Sequence, residues 1–136
     1  METLLYCDTN FYIDYLENRH DRLRPLGSFA FELLRRTIEC EFKIIISDFV
    51  ITELERYVKE EKIKDVLHSL KKTKKLVRIF KSKKDIKKAR MLSKNKADAL
   101  HAILAKKAGA EYIITRNLRD FAEFSHLVKP ILPESI

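Results

Sequence analysis

The stretch Asn95-Lys96-Ala97-Asp98-Ala99-Leu100-His101-Ala102-Ile103-Leu104-Ala105 reads as a helix that opens with one carboxylate, Asp98, in its first turn. It runs to Lys107 and is stopped by Gly109, in the place where a left-handed residue ends a helix. Tyr112-Ile113-Ile114 follows as a short apolar strand. Helix, glycine stop and buried strand in that order are half of a β-α-β unit, and the fold class depends on whether the rest of the chain repeats it.

Upstream, Leu4-Leu5-Tyr6-Cys7 is apolar throughout and too short for a helix, as a strand covered on both faces should be. Asp8-Thr9-Asn10 ends it, with Thr9 or Asn10 as the expected cap of a helix through Phe11 to Leu16. Pro25 and Gly27 mark a loop, and Ser28 is placed to cap a helix with Phe29, Leu33, Leu34 and Ile38 on its apolar side. Phe42 to Ile46 is a β-branched strand, and Ser47-Asp48 is a double cap signal for a helix from Phe49 to about Val58. A further helix carries Ile63, Val66, Leu67 and Leu70, a short strand spans Leu76 to Phe80, and another helix carries Ile86, Ala89 and Leu92. After Tyr112-Ile113-Ile114, residues Thr115 to Phe121 read as a loop, and Val128 to Leu132 as an edge strand beside Pro130 and Pro133. Alternation of this kind predicts an α/β fold, a three-layer α/β/α sandwich around a mostly parallel sheet, with residues 1–136 as a single domain.

Composition narrows the function classes. No apolar run approaches the roughly 20 residues of a membrane span, and Met1-Glu2-Thr3-Leu4-Leu5 lacks a charged leader before a long apolar core, so an unprocessed, cytoplasmic protein is expected. Cys7 and Cys40 are far apart, and His20, His68, His101 and His126 form no pair at zinc-ligand spacing; neither a disulfide framework nor a zinc site is expected. The net charge of +8 is uneven, because Lys71 to Arg90 holds eleven basic residues against one acid, Asp85. Such a block is either a solvated face or the footprint of a polyanion, with Lys83, Lys84, Lys87 and Lys88 as candidate nucleic-acid contacts.

Four acids stand in awkward places. Asp8 ends a strand, Glu53 falls among Phe49, Val50, Leu54 and Val58 on the apolar side of its helix, Asp98 opens a helix, and Asp120 follows the last core strand. Each has a structural alternative: a cap for Asp8, a helix N-terminus for Asp98, a turn for Asp120, a buried ion pair for Glu53. Together, without His or Cys, they form an oxygen-rich set suited to Mg²⁺ or Mn²⁺. Beside a basic surface and with no glycine-rich phosphate loop, that set points to cleavage of a phosphodiester polymer.

Asp8-Thr9-Asn10, the Thr52-Glu53-Leu54 core of Ser47 to Leu54, Ala97-Asp98-Ala99 and Thr115-Arg116-Asn117 with Asp120-Phe121 resemble, in order and setting, the motifs of the PIN-domain nucleases, especially the VapC-like toxins. The resemblance implies a Mg²⁺ or Mn²⁺ site formed by Asp8, Glu53, Asp98 and Asp120 and endonuclease action on single-stranded RNA. It also implies that Asp8 and Asp98 hold the metal directly, that Glu53 and Asp120 bind metal or its waters, and that Thr9, Asn10, Thr115 and Asn117 support the site. Some members of that family carry an acid where Asn117 stands, which leaves the fourth role between Asn117 and Asp120. An antitoxin partner and a homodimer are expected on the same ground. Phe11, Tyr12, Tyr15, Phe29 and Phe31 serve either that interface or the core. The alternatives are a housekeeping RNA-processing nuclease and an RNA-binding domain without catalysis.

Overall fold

The computed structural model describes residues 2–20, 23–39 and 41–136. Met1 and Cys40, on which the expectations of an unprocessed start and of no disulfide framework partly rest, lie outside the described residues. Five strands, β1 (Thr3–Cys7), β2 (Phe42–Ser47), β3 (Leu76–Ile79), β4 (Tyr112–Ile114) and β5 (Lys129–Ile131), form one sheet in the order β3-β2-β1-β4-β5. Every pairing is parallel, so the sheet is parallel throughout. The helices are α1 (Thr9–Leu16), α2 (Leu26–Ile38), α3 (Asp48–Leu54), α4 (Glu60–Lys72), α5 (Lys83–Leu92), α6 (Lys96–Lys107) and α7 (Leu118–Phe121).

Right-handed crossovers dictate where the helices go. The steps from β1 to β2 and from β2 to β3 move one way along the sheet, which lays α1 to α4 on one face; α1 packs on α2 and α3, and α2 on β2. The step from β3 to β4 returns across the sheet and puts α5 and α6 on the other face, packed on each other and, through α6, on β4 and α7. The direction of winding therefore changes beside β1, and a crevice opens beyond the C-terminal ends of β1 and β4. Tyr6, Leu5 and Cys7 of β1 and Ile44, Ile45 and Ile46 of β2 are all but inaccessible, as the apolar runs require of strands covered twice.

Four local readings are corrected. The cap of α1 is Asp8, whose carboxylate accepts the Phe11 N–H at 2.9 Å, and not Thr9 or Asn10. The second helix starts at Leu26 behind Pro25, so Gly27 lies inside it and Ser28 caps nothing. A Cβ on Gly27 would fall 2.5 Å from Asn18 Oδ1 and 2.8 Å from the Asp14 carbonyl, so this glycine serves the close approach of two helices. The third helix ends at Leu54, four residues short of Val58, and its start follows the sequence, with the Ser47 hydroxyl accepting the Val50 N–H at 3.0 Å. Finally, the loop expected from Thr115 to Phe121 contains α7. The edge strand β5 forms as expected, with Pro130 at a register position opposite Ile113. Phe11 and Tyr12 belong to the core, while Phe31 is exposed and stacks on Tyr15 at 6.4 Å. Among the described residues, no helix is long and apolar enough to cross a membrane.

Candidate active site

Asp8 is carried to the crevice by β1 itself. Its N–H bonds the Ile114 carbonyl of β4 at 3.1 Å, which pins the first residue past one strand to the end of its neighbour. The side chain is buried, and burial raises its carboxyl from 3.8 to about 6 against the opposing pull of the Thr115 hydroxyl and the Phe11 N–H. Thr115, the residue after β4, is buried as well; its hydroxyl bonds the Asp8 carboxylate and accepts the Asn117 N–H at 3.0 Å. One hydroxyl thus ties the β1 acid to the start of the loop that leads to Asp120.

Glu53 arrives from α3, on the opposite helical layer. Its Oε1 accepts hydrogen bonds from the Thr9 hydroxyl and from His101 Nε2, the latter at 2.7 Å, and its other oxygen has no hydrogen-bond partner among the described residues. Burial works to raise its pKa, yet the bonds from His101 and Thr9 prevail and hold the carboxyl below its usual range. Asp98 lies half-buried in the first turn of α6, hydrogen-bonded to the Asn95 amide. Its pKa is raised, chiefly by burial, with the charges of Asp120 and Glu53 adding to the effect. Asp120 is exposed on α7, close enough for its charge to reach Asp98.

The four acids therefore lie along one rim of the sheet on four elements, with Asp98 within reach of the charges of Glu53 and Asp120. The Thr9 hydroxyl reaches Glu53, and the Thr115 hydroxyl reaches Asp8. Asn10 is exposed, its amide oxygen accepts from Arg19 at 3.5 Å, and with Thr9, Ile13, Arg19, Glu53 and Tyr57 it lines a pocket of about 340 Å³. Asn117 enters through its backbone as the cap residue of α7 and makes no side-chain cap bond. Lys83, Lys84, Lys87 and Lys88 are exposed along α5 as a solvated or polyanion-binding face requires. Two members of the basic block do not share that face: Lys75 is buried against Glu2, and Lys81 pairs with Asp48 at 3.3 Å.

His101 is the residue that sequence reasoning missed. The residue pattern assigned it no part beyond the absence of a zinc pair, whereas in the fold it is buried and bonded at both ring nitrogens, to Glu53 and to the Tyr6 hydroxyl at 2.8 Å. Its position three after Asp98 on one helix was the available signal, since residues three apart share a face.

The donor set consists of carboxylate oxygens, and Asp98 feels the repulsion of Glu53 and Asp120; both are features a hard divalent cation suits. Among the described residues no group of three or more His, Cys, Asp or Glu side chains stands close enough together to hold a metal ion as it is. The raised carboxyls of Asp8 and Asp98 and the unused Glu53 oxygen fit such an ion by their chemistry.

A family model described as the PIN domain matches residues 5–119. The crystal structure of VapBC2 from Rickettsia felis bound to a DNA fragment from their promoter is similar in fold. It has a TM-score of 0.62 and 20% identity, covering 93% of this chain and 97% of that one. No curated protein matches the chain by sequence.

Proposed function

The chain belongs to the PIN-domain family, whose members are nucleases, and from that premise we propose that it is a Mg²⁺- or Mn²⁺-dependent endoribonuclease that cuts single-stranded RNA. The observation that supports the reading is that Asp98 lies under the charges of Glu53 and Asp120, while Asp8 ends β1 beside the crevice where the winding of the sheet reverses. Asp8 and Asp98 are assigned to hold the ion, and Glu53 and Asp120 to hold it or its waters. A divalent cation bound there would offset phosphate charge and activate an attacking water. Thr115 orients Asp8, Thr9 orients Glu53, and the exposed lysines of α5 attract the RNA backbone.

The biological role proposed is that of the toxin in a toxin–antitoxin pair, acting in the cytoplasm as a single domain of residues 1–136. Fold similarity to a VapBC complex supports a protein partner, and the exposed Phe31 beside Tyr15 is available to a homodimer contact. The decisive assay incubates purified protein with single-stranded RNA in Mg²⁺, in Mn²⁺ and in EDTA. Cleavage in either metal that EDTA abolishes is the expected result; cleavage that survives EDTA, or none in either metal, would overturn the reading.

A further inference from the structure

A chain of hydrogen bonds runs from the buried interior to Glu53 and leaves little freedom in where its protons lie. The Ser47 hydroxyl oxygen accepts the Val50 N–H and lies 2.8 Å from the Tyr6 hydroxyl, which lies 2.8 Å from His101 Nδ1; His101 Nε2 is 2.7 Å from Glu53 Oε1. Tyr6, Ser47 and His101 are all buried. An ionised carboxylate only accepts, so Nε2 must carry a hydrogen and donate it. Among the described residues the Ser47 hydrogen has Tyr6 as its acceptor, so the tyrosine hydrogen points onward to Nδ1. With a neutral imidazole every donor is then used once, and the ring is the Nε2–H tautomer. Phe49, with its ring 4.7 Å from the imidazole, and Tyr6, edge-on at 5.7 Å, close the remaining sides.

We propose that Ser47, Tyr6 and His101 form a positioning device for Glu53: His101 and Thr9 together occupy Oε1 and so present Oε2 to the cation site. The inference rests on the reading of the acids as that site. Glu53 leaves a short helix whose last turn is half-exposed, and a free glutamate there would sample several rotamers. Two donors on one oxygen select the rotamer, and the buried tyrosine selects the tautomer that can donate. His101 is a positioning residue in this scheme and touches neither RNA nor metal.

The test measures Mn²⁺ binding by calorimetry on the intact protein, with Tyr6→Phe, His101→Leu and His101→Gln, each also made in a Glu53→Ala background. Outer-shell hydrogen bonds to metal ligands are commonly worth 10- to 100-fold in affinity. His101→Leu is expected to weaken Mn²⁺ binding about tenfold and Tyr6→Phe by a smaller factor, with His101→Gln, which keeps an N–H donor, recovering part of the loss. In the Glu53→Ala background, His101→Leu should have no further effect. Nitrogen NMR of the His101 ring in metal-free protein should show Nε2–H in wild type and a tautomer mixture in Tyr6→Phe, a readout that simple packing would not move. Wild-type Mn²⁺ affinity in both Tyr6→Phe and His101→Leu, or an equal loss with and without Glu53, would overturn the positioning role while leaving the metal site standing. A wild-type protein that binds no Mn²⁺ would overturn the site and the device together.

Discussion

The acids at the crevice and the lysines along α5 differ in what fixes them. Asp8, Glu53 and Asp98 are wholly or half buried, each held by named partners: Thr115 and the Phe11 N–H, Thr9 and His101, and Asn95. Lys83, Lys84, Lys87 and Lys88 are exposed at the surface of their helix. The first group was placed by topology, since strand ends and helix starts come together where the winding reverses. The second was placed by composition alone. A charge held in a fixed geometry at the cost of desolvation is suited to chemistry, and a solvated charge to long-range attraction.

The largest expected effect comes from neutralising a held acid. Asp8→Asn or Asp98→Asn should lower cleavage by at least about a hundredfold, the equivalent of about 3 kcal/mol of transition-state stabilisation, with stability in EDTA unchanged or improved. The sign for Asp8 is definite. Its carboxyl is raised to about 6 in the fold from 3.8, so the stability it contributes is fully present below 3.8 and is lost as pH rises through 6. Asparagine keeps the cap and cannot ionise. Melts in EDTA should therefore show wild type and Asp8→Asn converging near pH 4 and the variant ahead by about 3 kcal/mol above pH 7, discounted for relaxation. If both variants melt well below wild type and still cut RNA, these acids are structural.

Next in size is the solvated group. Reversing Lys83, Lys84, Lys87 and Lys88 to Glu should weaken RNA binding at low salt and flatten the slope of log affinity against log salt by about 3. Cleavage of saturating RNA should be little changed, because nothing ties these lysines to the acids. An unchanged slope would make them a solvated face only and dissolve the comparison from its basic side.

The smallest effect separates two residues within α7 and its cap. Asp120→Asn should raise the Mn²⁺ concentration for half-maximal cleavage by about tenfold, and Asn117→Ala by less, since it is the Asp120 charge that reaches Asp98. Metal titrations of the two variants make the measurement. A wild-type Mn²⁺ requirement in Asp120→Asn would return the fourth role to Asn117 or leave three acids.

Much of this was legible in the residues, for identifiable reasons. Continuous apolar runs at Leu4 to Cys7 and Phe42 to Ile46 can only be strands covered on both faces, so the sheet and its parallel sense followed. The family assignment followed from the order of the acidic motifs. Caps were less legible: Asp8, Thr9 and Asn10 are all competent, and only the Phe11 N–H shows which one is used. Gly27 read as a loop because its reason is a contact with Asn18 and Asp14 that no local pattern encodes. His101 was missed for the same cause, since its partners lie 95 and 48 positions away in the chain.

The margins of the sheet have a consequence for how another chain can attach. At one side β5 carries the exposed Lys129 and a proline, Pro130, that offers no N–H to a newcomer; at the other β3 carries the exposed Arg78 amid the basic block. Strand addition, one way for an extended peptide to dock on a sheet, meets a missing donor at β5. Any chain that seats itself beside β5 therefore leans more on side chains than on backbone pairing.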